Sequence, residues 1–193
     1  MKIKMLIPLL LSVIALSACA DIPPVKEPVP ADQQNIVTAS DDGWTAEKLM
    51  SVTYFNGIEL CYPLTLRDFG SGYTIEYSWE DDNDIRTHYL VEDTFSLEAY
   101  PYITFEHNDE IISADDEMKT MGVYHDHISV NGLELSAPEA DVESVLGTPD
   151  RIDESIKFSK VYIYCDKETG EDLLKVVVST NYKAVTGFVF LLK

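Results

Sequence analysis

Positive charge is what this 193-residue chain has least of: 14 lysines and arginines stand against 34 aspartates and glutamates, for a formal net charge of −20. A basic face for phosphate is missing, which argues against nucleic acid as a partner. The same imbalance repels anionic lipid headgroups, so the globular part is expected to stand off a membrane surface. Cysteine is scarce too, with three residues in all. Long apolar runs are confined to the N-terminus, where 5–16 is too short to span a bilayer. Catalytic signatures are missing as well. Gly70-Ser71-Gly72 lacks the glycine spacing of a nucleophile elbow, and no glycine-rich phosphate loop opens a helix. The chain therefore reads as a non-enzyme, and no cofactor is implied.

What the N-terminus does contain is an export signal. Lys2 and Lys4 precede the apolar stretch, and small residues follow it. Its end, Leu16-Ser17-Ala18-Cys19, resembles the lipobox of bacterial lipoproteins. That resemblance implies cleavage before Cys19, acylation of its thiol, and a protein held by lipid on the extracytoplasmic face of the cell membrane. Each buried CH2 of an acyl chain contributes about 0.8 kcal/mol, so no transmembrane helix is required. The alternative is an ordinary secretory signal cut after Ala18. Removing residues 1–18 takes away Lys2 and Lys4 and no acid, which moves the charge from −20 to −22. Residues 19–43 follow as a tether. Pro23, Pro24, Pro28 and Pro30 alternate with charged and amide residues and no apolar period survives, so disorder is expected. Fully extended, such a tether reaches roughly 70 Å at about 3.1 Å per residue.

Residues 44–193 are enough for one unit, and they say one thing twice. Phe55-Asn56-Gly57-Ile58-Glu59-Leu60 with Pro63 returns as Val130-Asn131-Gly132-Leu133-Glu134-Leu135 with Pro138, at an offset of 75 residues. Asn-Gly between apolar runs signals a two-residue hairpin, because both turn residues must reach positive φ. A short helix is predicted after each hairpin, over 65–70 and 138–147. The second carries proline and acids in its first turn, apolar Val142, Val145 and Leu146, and Gly147 and Pro149 as stops. Strands are predicted over 74–79, 85–90 and 100–105 in the first half, and over 160–165, 173–179 and 185–191 in the second. The expected fold is α+β: two tandem repeats, 44–122 and 123–193, each a short helix packed on an antiparallel sheet.

The repeat length, the helix ending Ser144-Val145-Leu146-Gly147-Thr148-Pro149-Asp150 and the strands after it resemble the tandem helix-plus-sheet repeat of the beta-lactamase inhibitory protein and of the related small outer-membrane assembly lipoproteins. The stretch from Asn56 to Phe69 is similar to a group of cell-surface lipoproteins of Gram-positive gut bacteria. These resemblances imply a fold and an envelope setting. No inhibitory or assembly residue carries over, because no contact motif of those families is recognisable here.

Four groups of residues remain as candidate sites. With Cys19 acylated, Cys61 and Cys165 stand one in each half, as a disulfide or as two free thiols. His125 and His127 alternate on a predicted strand and could face one metal ion together, although two ligands fall short of a site. Glu80 to Asp84 is an acidic loop without the glycine and distal glutamate of a calcium loop. Tyr73, Tyr77, Tyr89, Tyr162 and Tyr164 lie on predicted strands, where large rings either close the core or form a binding face. The function expected on this reading is protein binding or another envelope interaction, with an extracellular or envelope protein as partner. A solute- or divalent-cation-binding module is the alternative, and a hydrolase of wall polymer is a more distant one.

Overall fold

Asparagine and glycine tolerate the left-handed backbone that a tight hairpin needs, and both hairpins use them in the same way. Asn56 and Gly57 have φ of 51° and 77°, and Asn131 and Gly132 have φ of 53° and 84°. A computed structural model describes residues 26–38, 43–69, 73–80, 86–92, 103–107, 115–124 and 128–192, with the backbone alone for 73–80, 86–92 and 103–107. It places β1 (Thr53–Phe55) and β2 (Ile58–Glu59) around the first turn, and β7 (Ile128–Val130) and β8 (Leu133–Glu134) around the second. The hairpins pair with each other through antiparallel β1 and β7, with Tyr54 opposite Ser129, to give a four-stranded sheet in the order β2-β1-β7-β8.

The second sheet has eight strands, all antiparallel. They are β3 (Tyr73–Glu80), β4 (Arg86–Glu92), β5 (Ile103–His107), β6 (Thr120–Val123), β9 (Arg151–Asp153), β10 (Ser159–Cys165), β11 (Asp172–Ser179) and β12 (Ala184–Leu191). Their order is β3-β4-β5-β6-β12-β11-β10-β9. The two halves of the chain thus share both sheets, and β6 is the seam of the larger one, bonded to β5 on one side and to β12 on the other. Strand β11 has neighbours on both sides and buries Leu173, Leu174, Val176 and Val178, as its nearly continuous apolar sequence predicts.

Helix α1 (Ala46–Met50) is short, and the Thr45 hydroxyl caps it by accepting from the Lys48 N–H. Helix α2 (Glu139–Leu146) carries Glu139 and Asp141 in its first turn, buries Val142 and Leu146, and stops at Gly147, where φ is 83°. The helix expected over 65–70 is a single 3-10 turn, Leu66–Phe69. There the Asp68 carboxylate accepts from the Thr65 N–H and hydroxyl. One core joins these parts: Leu49, Phe55, Phe69, Met121, Leu146, Tyr164, Phe188 and Phe190 from both helices, both sheets and the 3-10 turn are all buried in it. Phe55 and Phe69 meet edge to face at 5.3 Å.

Residues 26–38 overturn part of the tether expectation. They lie as a strap across both hairpins. Lys26 Nζ bonds Asp68 Oδ1 at 2.7 Å and the Glu59 carbonyl at 3.1 Å. The Val29 N–H donates to the Gly57 carbonyl at 2.7 Å, and the Asn35 N–H to the Tyr54 hydroxyl at 2.8 Å. Val37 packs on the core and exchanges two 2.8 Å bonds with the Asn131 side chain. The strap passes close over both turn glycines. A Cβ on Gly57 would stand 3.2 Å from Pro28 Cβ, and one on Gly132 3.1 Å from Ile36 Cδ1. The strap makes few bonds to itself and many to the hairpins, which is why a search for internal periodicity passes over it.

Candidate functional site

Helix α2 is held against the large sheet by the two tyrosines of β10. Tyr162 and Tyr164 point to the same face two residues apart, and the helix lies over them. Tyr162 OH donates to Glu139 Oε1 at 2.9 Å, at the start of the helix, and Tyr164 OH donates to the Gly147 carbonyl at 3.1 Å, just past its end. Both rings are 3 % exposed or less. The expectation of a partner-binding face therefore fails for Tyr162 and Tyr164: their rings close the core and their hydroxyls pin a helix. For Tyr73, Tyr77 and Tyr89 the backbone is described, with Tyr77 opposite Tyr89 across β3 and β4, while their side chains lie outside the described residues.

Other candidates also fall outside the described residues: Cys19, His125, His127, the acidic loop at 81–84, and 70–72. Among the described residues no group of three His, Cys, Asp or Glu side chains converges as a metal site. Cys61 and Cys165 are both free thiols. Cys61 is exposed, with its sulfur 3.2 Å from Lys26 Nζ. Cys165 is half-buried at the end of β10, 3.9 Å from both Arg151 and Asp172, and burial pushes its thiol pKa up.

A polar constellation stands at the start of α2, in an open groove of about 550 Å³ lined by Pro138, Glu139, Ala140, Glu143, Tyr162 and Lys183. Glu139 accepts from Lys160 Nζ at 3.0 Å and from Tyr162 OH, and Lys183 Nζ lies 3.8 Å away. Lys160 also stands 5.0 Å above the Tyr162 ring. The bonds from Lys160 and Tyr162 hold the Glu139 carboxyl below the usual glutamate range. The Tyr162 hydroxyl and the Glu139 carboxylate hold Lys160 more firmly protonated, and burial keeps the Tyr162 phenol neutral. Acid–base catalysis needs a glutamate pushed up or a lysine pushed down towards neutral pH; these groups are driven the other way. The arrangement can hold a helix or a polar ligand, and it is poorly suited to moving a proton.

Sequence reading placed Glu139 only as an acid in a first helical turn. Its partners come from β10 and from the turn before β12, and nothing local marks Lys160 or Lys183 as belonging with it. Lys26 was likewise lost among tether charges. No protein-family model matches this chain, and no curated protein or solved structure matches it either.

Proposed function

We propose that this chain is a lipid-anchored, extracytoplasmic protein-binding module of a bacterial envelope, without catalytic activity. The lipobox-like Leu16-Ser17-Ala18-Cys19 supports the anchor. The binding reading is carried by β3. This strand is eight residues long, Tyr-Thr-Ile-Glu-Tyr-Ser-Trp-Glu, and it stands at the edge of the eight-stranded sheet with β4 as its one strand neighbour among the described residues. Edge strands offer a row of backbone donors and acceptors, which natural proteins commonly blunt with lysine or proline. This one has neither; two glutamates and a register shift between Ile75 and Tyr77 interrupt it, and an extended segment of a partner can add to the regular remainder as a further strand. The tandem-duplication reading belongs here too. Two hairpins of matching sequence and φ, paired side by side through β1 and β7, support descent of the halves from one repeated unit.

A photo-crosslinking residue at Thr74 or Ser78, in protein expressed in its own envelope, tests the binding reading. The expected result is a discrete adduct from both β3 positions and none from Glu168, on the turn between β10 and β11. Equal background at all three positions, no greater than from an unrelated acidic lipoprotein, would sink it.

A further inference from the structure

The strap changes how far the domain can stand from a membrane. On the anchor reading, on which this inference rests, the lipid sits on Cys19. The first described residue is Lys26, which is fixed by its ammonium to Asp68, the Glu59 carbonyl and the Cys61 sulfur. Only seven residue steps separate the two points. Whatever conformation they take, seven residues span at most about 25 Å. A tether free to Gly43 would have reached roughly 70 Å. Most of that length is spent crossing the hairpins.

We infer that the corner formed by Lys26, the segment after β2 and the 3-10 turn 66–69 is a membrane-facing surface, held against the lipid headgroups by the short leash that ends there. Its exposed side chains suit that setting. Cys61, Tyr62, Pro63 and Arg67 are all on the surface, and tyrosine and arginine are at home at the headgroup level. Two of the chain's 14 basic residues, Lys26 and Arg67, stand at this corner, each paired with an acid, Asp68 and Asp115, so that the corner is less acidic than the rest of the surface without being basic. The acidic bulk opposes close approach, and the leash overrides it locally, because a tethered body cannot leave the radius of its tether.

The test uses full-length, acylated protein in phosphatidylcholine–phosphatidylglycerol vesicles. A donor dye on Tyr62→Cys, in a Cys61→Ser/Cys165→Ala background, reports energy transfer to a headgroup-labelled lipid. Strong transfer is expected, falling at least about two-fold when a stiff proline-rich insert of about 24 residues, worth roughly 70 Å, is placed between Val25 and Lys26. Weak transfer that the insert leaves unchanged, in protein still bound to vesicles, would overturn this inference and leave the anchor standing. Mature wild-type protein whose intact mass shows no acyl group on Cys19 would overturn the anchor reading, and this inference with it.

Discussion

The two Asn-Gly hairpins share a sequence pattern and a turn geometry, yet their asparagines have different jobs. Asn56 is exposed on the first turn. Asn131 is 2 % exposed, and its side chain bonds both polar groups of Val37 and the Val145 carbonyl in the last turn of α2, while its own N–H donates to the Val52 carbonyl. Residues just downstream diverge in the same way. Glu139, in the second half, corresponds to the buried Leu64 of the first. The first half instead uses Asp68, which holds Thr65 and the strap's Lys26. A repeated turn thus fixes local backbone shape, and its tertiary role comes from what crosses over it: the strap's start in one half, the strap's end and a helix in the other.

The largest expected contrast comes from glycine at the two asparagines, since glycine keeps the positive φ and removes only the side chain. Asn131→Gly strips partners from three half-buried backbone groups and should cost about 2 kcal/mol in urea denaturation. Asn56→Gly should stay within about 1 kcal/mol. Equal costs would erase the distinction between the hairpins. The acids give a second contrast. Glu139→Gln should cost about 1–2 kcal/mol at pH 7. Because the Glu139 carboxyl is held below its ordinary range, its stabilisation is complete above the unfolded value of about 4.3 and disappears as pH falls through the lower folded value. Stability curves of wild type and variant should therefore converge below pH 4; parallel curves would show that the charge is not what the groove uses.

Asp68→Ala should cost less, about 1 kcal/mol, and its effect should be local. Amide exchange at Val29 should accelerate while Val37, held by Asn131 at the strap's other end, keeps its protection. Acceleration of both would mean that the strap opens as one piece. The thiols supply the smallest effect. Native protein without reductant should take up two maleimides between Cys61 and Cys165, with Cys61 reacting at least about tenfold faster because it is exposed while Cys165 is half-buried with a raised pKa.

Turn chemistry and strong periodicity were legible in the sequence. Asn-Gly marked both hairpins, and Pro138, Val142, Leu146 and Gly147 marked α2. The strand candidates became β3, β4, β5, β10, β11 and β12 with ends shifted by a few residues. Helix α1 was missed because five residues are too few for an amphipathic period to show. The strap was missed because most of its bonds go to Tyr54, Gly57 and Asn131, with few to itself. Tyr162 and Tyr164 could be assigned to one face of a strand, but whether that face meets water or a helix depends on packing of the whole chain. The Glu139 cluster was illegible for the same reason, since Lys160 is 21 residues away in sequence.

The place of β12 in the large sheet bears on how the protein comes to be folded at all. Residues 184–191 pair with β6 on one side and β11 on the other, at the join between strands of the first half and those of the second. Neither group can be zipped to the other until that last strand is in hand, and the pairings that result are far apart in the chain. Topologies of this kind fold slowly. On the export reading proposed above, such a delay would keep the chain threadable, because the strand that closes the large sheet is the last of the described strands in the sequence.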